Sequence, residues 1–202
     1  MYASRIASRS VTFAAGAVQD DDGIKTSFAT VAAPVTVVPA DLNGGIASTS
    51  TGLITGLART ITITRSNNAG QFSVSPIVMT YVRGGYTLTE SITPANINGN
   101  DVLAFNAAVE RIVSIAFPTQ GGTGGTFKIG VRDVCALAGD TFVGVELAAA
   151  GTLYVQYGEQ LNSPTDAIPI AAGLVGLPKP IAPTRILTDT TKTIVGFTVY
   201  LP

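Results

Sequence analysis

Residues 60–64 read Thr60-Ile61-Thr62-Ile63-Thr64, and this strict alternation decides the fold class. Successive side chains of an extended chain point to opposite faces, so Ile61 and Ile63 share one face and the threonines take the other. Working outward, Ser66-Asn67-Asn68-Ala69-Gly70 reads as a turn, because Asn and Gly tolerate positive φ. Phe72 and Val74 then alternate with Ser73 and Ser75, which predicts a hairpin. A second hairpin is expected from the β-branched and aromatic run Ile77–Val82, the turn Arg83-Gly84-Gly85, and Tyr86, Leu88 and Glu90 alternating with Thr87, Thr89 and Ser91. Together the four strands predict one antiparallel meander.

Further along, Pro94–Asn100 reads as a loop, and Asp101 is placed to cap a short helix or irregular turn over Val102–Val109. Arg111–Phe117 reads as a buried strand. The glycine-rich turn Gln120–Gly125 follows, and then a strand from Thr126 to Val131 in which Phe127, Ile129 and Val131 share a face, so that these last two strands form a hairpin. A second part begins near Val134. Its strands are expected at Phe142–Ala148, at Gly151–Tyr157 and at Thr193–Leu201, where Val195, Phe197, Val199 and Leu201 alternate. Before Thr60 the chain is rich in Ala, Ser, Thr and Gly. The predicted organisation is an N-terminal arm over residues 1–30, one β-domain over 31–133, and a second over 134–202.

Within the second part, residues 162–185 carry five prolines, Pro164, Pro169, Pro178, Pro180 and Pro183. Proline lacks the N–H that a central strand needs, so the segment is expected to be extended and partly polyproline-like. Pro164, Ile168, Ile170, Leu174, Leu177, Pro180 and Ile181 are the candidate interface residues of this arm. One reading lays it on a neighbouring subunit, and the other packs it on its own domain.

Composition narrows the chemistry. The 202 residues include no His and no Trp, one Cys, twelve basic and thirteen acidic side chains. Histidine is the commonest general acid/base and metal ligand, so its absence removes every His-dependent triad. A mean hydropathy of +0.40 with 12% charged residues, against roughly 25% in ordinary soluble domains, leaves more apolar surface than one chain needs to bury. A membrane is an unsuitable destination. The longest weakly polar run, Ala167–Leu177, spans eleven residues and contains Pro169, whereas a spanning helix needs about 20 apolar residues. Another protein chain remains, which predicts a homo-oligomer. The net charge of −1 and the scattered Lys and Arg give no footprint for nucleic acid. The opening MYASRIASRS has no long apolar core of the kind a secretory signal carries. Cys135, alone and flanked by Val134 and Ala136, reads as a small buried hydrophobe, and reliance on no disulfide suits a reducing cytoplasm.

Chemical motifs are weak. Gly121–Gly125 lacks the Gly-Lys-Ser/Thr ending of a phosphate loop and opens a strand rather than a helix, so no nucleotide cofactor is expected. Asp20-Asp21-Asp22-Gly23 offers carboxylates to a hard cation, but its spacing is not that of an EF-hand loop, and a solvated or helix-capping acidic turn is the competing reading. Glu90, Glu110, Asp133, Asp140, Glu146 and Glu159 are the carboxylates available to a glycoside hydrolase. They occur singly, without tryptophan platforms. No catalytic, cofactor or metal residue is assigned.

From Phe13 to Asp133 the chain resembles a known group of proteins. Gln19–Ser27, Arg59–Thr64 with its Asn/Gly turn and Phe72, Leu88–Ile92, Val109–Ile115 and Phe127-Lys128-Ile129-Gly130-Val131 are similar to small structural proteins of tailed bacteriophages. In those a Thr-rich β-domain ends in a Val-Gly motif and a shorter β-domain follows. One departure is that Ser75–Arg83 is longer and more apolar than their usual Gly/Asp-rich turn. The resemblance implies a non-enzymatic virion component assembled in the host cytoplasm.

The expectation is therefore an all-β chain of two small antiparallel sandwich-like or barrel-like domains with extended N-terminal and Pro-rich arms. It would decorate or cement a capsid through self-association, with the major capsid protein or other virion proteins as partners. The alternatives are a tail, collar or baseplate component, and a module that binds the host surface.

Overall fold

A computed structural model of the chain describes residues 9–13, 19–66, 70–138, 141–157, 165–170, 183–187 and 197–201. These residues run through β1 (Arg9–Phe13), β2 (Asp20–Ala29), β3 (Val35–Val37), a 3-10 turn at Pro39–Asp41, β4 (Ala58–Ser66), β5 (Ile77–Arg83), β6 (Tyr86–Ile92) and β7 (Asp101–Ala104). Then come β8 (Arg111–Phe117), β9 (Thr126–Cys135), β10 (Gly144–Leu147), β11 (Gly151–Gln156), β12 (Thr165–Ile170), β13 (Arg185–Ile186) and β14 (Phe197–Leu201). The fold is all-β, and among the described residues no sheet closes into a barrel. Two compact units divide the chain: Asp20–Val131, and Met1–Gln19 together with Arg132–Pro202.

The Asp20–Val131 unit is a two-layer sandwich. One layer is the four-stranded sheet β3-β8-β5-β6. The other takes β4 between β7 and the first part of β9, with β2 also paired to β9. The core is filled by alternate residues of both layers: Ile61, Ile63, Phe127, Ile129 and Val131 meet Ile77, Met79, Ile112, Ile115 and Phe117. Phe127 touches three rings, with centroids 4.7 Å from Phe117, 5.3 Å from Phe72 and 5.6 Å from Phe28.

Several local expectations change here. The turn at Gly84 and Gly85 forms, and β5 and β6 pair from Arg83↔Tyr86 to Ile77↔Ile92 without a register shift. The four-strand meander does not form, because β4 lies in the opposite layer. Both edges of β4 are occupied, by β7 and β9, so residues 72–75 have no edge to join. Phe72 instead plugs the core from a loop, which Ser73 fastens by donating its N–H to Gln120 Oε1 at 3.0 Å. The threonine face of β4 is covered as well, with Thr60 and Thr62 buried. Asp101 starts β7 rather than a helix. Its carboxylate is drawn across the strand pair to Arg65, which donates from Nε and Nη2 at 2.7 Å each. Nor do β8 and β9 form a hairpin, since the chain crosses between layers over residues 118–125. Gly124 N–H and Gly125 N–H tie that crossing to Gln71 Oε1 and Thr30 Oγ1. A side chain at Gly125 would strike the Phe72 ring, its Cβ falling 2.8 Å from Cζ.

In the second unit, β14 lies between β1 and β10, and Phe13 stacks on Phe197 at 5.1 Å. Strands β12, β11 and β13 follow in order, and β13 pairs with the end of β9. The β10 and β11 segments, expected in one small sheet, belong to different sheets, separated by the bend at Ala148–Ala150. Phe197, Val199 and Leu201 point inward as the alternation predicts, with Val145, Leu147, Leu153 and Val155 also buried; Val195 lies outside the described residues. Cys135 is buried, as its apolar neighbours predict. Residues 1–30 were expected as an arm. They contribute two strands, β1 on β14 and β2 on β9. Among the described residues no helix is long and apolar enough to cross a membrane.

Candidate functional site

Asp20, Asp21 and Asp22 do converge, with one carboxylate oxygen from each lying within 4.8 Å of the others. Local backbone geometry explains why. The β2–β9 register slips between Asp20↔Val131 and Lys25↔Ile129, so the acidic run bulges out of β2. Gly130 is required beneath it, since a Cβ there would come 2.1 Å from the Asp20 carbonyl oxygen. Asp20 Oδ1 accepts the Asp22 N–H at 3.1 Å. Lys128 Nζ stands 3.3 Å from Asp21 and 3.5 Å from Asp22, supplying a cation from the chain itself. The hydrogen bond to Asp21, with the charges of both aspartates, holds the Lys128 ammonium above its ordinary pKa. This is an ion-paired bulge at the surface, and no residue of it is assigned to a metal.

The scattered carboxylates that lie among the described residues are engaged in structural contacts. Glu90 takes the Asn106 N–H at 2.7 Å on Oε1 and the Ala107 N–H at 2.9 Å on Oε2. Glu110 accepts the Gly84 N–H at 3.0 Å and lies 3.7 Å from Arg83. Asp133 is buried beside Arg132 at 3.4 Å, and Glu146 accepts the Tyr200 hydroxyl proton. That bond raises the Tyr200 pKa above the usual tyrosine value. Asp140 and Glu159 lie outside the described residues.

Of the Pro-rich interface candidates, Ile168 is half-buried on β12 opposite Leu153, and Ile170 ends β12 opposite Gly151. Among the described strands β12 is the outermost of its sheet, a position where Pro169 interrupts no central ladder. Pro164, Leu174, Leu177, Pro180 and Ile181 lie outside the described residues.

The feature that sequence reading missed is the open side of the Asp20–Val131 sandwich. Among the described residues, β6 and β7 are the last strands of their layers, and the Glu90 carboxylate clasps β6 to the loop that leaves β7. On β6 the residues Tyr86, Leu88, Glu90 and Ile92 continue the face that β5 buries through Tyr81, Met79 and Ile77. The core therefore runs out toward solvent along β6, where Tyr86 is 75% and Leu88 43% exposed. The available signal was the absence of Lys, Arg and Pro from Tyr86–Ile92, the residues that usually blunt a sheet edge. Comparison with family models, curated proteins and solved structures gives no match, and the site rests on its own geometry.

Proposed function

We propose that this chain is a non-enzymatic structural protein of a tailed-phage virion, which decorates or cements the capsid shell by binding copies of itself and the major capsid protein. The observation that carries the structural reading is the apolar margin along β6, which no described residue covers and where Tyr86 and Leu88 extend the core face into solvent. An apolar edge that carries no Lys, Arg or Pro, and whose one charge, Glu90, is held by backbone N–H groups, is suited to a surface that another chain covers. The virion setting comes from the resemblance of Phe13–Asp133 to small phage structural proteins, and the lack of histidine and tryptophan agrees with a role in assembly. Low charge favours dense repetition of one chain, because closely spaced copies repel little. In this role the Pro-rich segment exchanges between neighbours and adds area at many symmetry-related contacts, so that weak interfaces sum.

The test mixes purified protein with shells that lack it and follows co-sedimentation. Saturable binding is expected. A variant in which residues 171–182 are replaced by a Gly/Ser linker of equal length, removing Leu174, Leu177, Pro180 and Ile181, should stay folded and bind much more weakly. A linker variant that decorates as well as the parent removes the arm from the account. Binding to isolated tails or to host cells, with none to shells, replaces the capsid role by a tail or host-surface role.

A further inference from the structure

The open strand β6 is complementary to itself. We propose that β6 pairs antiparallel with β6 of a second copy of this chain about a two-fold axis at Thr89, joining the four-stranded sheets of the two copies into one continuous sheet.

The phase of the hydrogen bonds sets this register. Gly84 and Gly85 have φ of 57° and 82°, the signature of a two-residue type I′ turn. Arg83 and Tyr86, which close that turn, are its hydrogen-bonded pair, and the ladder alternates from there. Leu88, Glu90 and Ile92 therefore bond β5. Thr87, Thr89 and Ser91 turn their N–H and C=O groups away from β5, toward the open side. Among the described residues no strand and no loop backbone group pairs with them. In the two-fold arrangement Thr87 faces Ser91 of the second copy and Thr89 faces its own equivalent. Every outward group of the strand then finds a partner. Of the registers that keep these groups in phase, the one centred on Thr89 overlaps all of Tyr86–Ile92.

Side chains fit the same register. On one face, Thr89 meets Thr89 and Thr87 meets Ser91, which are hydroxyl pairs that sheets favour. On the other, Tyr86 lies against Ile92, an aromatic on a β-branched residue, and covers apolar surface that is exposed in the single chain. Leu88 meets Glu90, the only charged residue of the strand, whose carboxylate is already held by the N–H groups of Asn106 and Ala107. Two copies thus bring no free charges together. No bulge twists the edge away either, since β5 and β6 pair without a register shift. A C2 interface of this kind uses the same patch on both partners, as isologous dimers do.

This pairing is a property of the isolated chain and stands apart from any virion role. Sedimentation of the full chain should show concentration-dependent dimers of twice the 20.6 kDa chain mass. Thr89→Lys sets two ammonium groups against each other at the axis while leaving an exposed position of the fold, so it should give monomers with unchanged circular dichroism. For register, Thr89→Cys should form a covalent dimer under mild oxidation, because facing residues of a hydrogen-bonded pair have Cα atoms about 5.5 Å apart, within disulfide reach. Thr87→Cys, which faces Ser91, should not. A wild-type chain that stays monomeric at its highest soluble concentration, a dimer indifferent to Thr89→Lys, or equal cross-linking of Thr87→Cys and Thr89→Cys would each overturn the proposal. Failure of shell binding with an intact dimer would instead count against the capsid role alone.

Discussion

Thr60 illustrates what alternation conveys and what it omits. Its place opposite Ile61 was evident from the repeat, but its face is buried, and its Oγ1 has no hydrogen-bond partner among the described residues. A buried hydroxyl left unpaired costs about 1–3 kcal/mol. Thr60→Val, which keeps the shape and removes the hydroxyl, is therefore expected to raise stability by about 1 kcal/mol in urea denaturation, and a loss would mean the hydroxyl is satisfied. Arg65 is the opposite case. Its side chain has 0% exposure, yet every arm is used: Asp101 takes Nε and Nη2, the Asn96 carbonyl takes Nη1 at 3.0 Å, and the guanidinium stacks over Phe72 at 5.0 Å. Nothing in the spacing of Arg65 and Asp101 showed that they meet, because their encounter depends on which strand lies beside β4. Lys128 and Tyr200 give a pH dependence. Both bind their protons more tightly when folded, so their contribution is full below the ordinary values of 10.5 and 10.0 and fades as pH rises past the raised ones. Thermal stability should fall above about pH 10, and Tyr200→Phe should make that fall shallower.

At the level of elements, the strands that alternate strictly were legible, and their neighbours were not. The β5–β6 hairpin and the inward face of Phe127, Ile129 and Val131 follow from period two and from a turn chemistry that needs two glycines. Pairing across layers depends on contacts distant in sequence, which explains the absent β4 hairpin and the crossing of residues 118–125. The Asp101 segment misled for a physical reason: an N-cap residue is also a good partner for a buried arginine. Phe127 joins the two layers, with rings of Phe28, Phe72 and Phe117 around it. Phe127→Ala should cost about 3–5 kcal/mol, measured by chemical denaturation, and a change under about 1 kcal/mol would show that the layers do not close on this ring.

For the whole molecule, the mean hydropathy of +0.40 and the shortage of charge imply apolar surface seeking a cover, and β6 is a place where such surface is visible. The open edge was not legible beforehand, because edge status is a property of strand order rather than of any one strand. The acidic run was legible as a cluster, while its partner Lys128, more than a hundred residues later, was not. The proposed self-association is argued from the geometry of β6, and the proposed virion role from the resemblance read in the sequence of Gln19–Ser27, Arg59–Thr64 and Phe127–Val131. The proposed virion role is open to cryo-electron microscopy of tailed-phage capsids that lack a decoration protein, incubated with the purified chain alongside intact particles. A capsid-decorating role requires density for the chain distributed over the shell at lattice symmetry; density confined to the tail or portal vertex, or none on any particle, would overturn it.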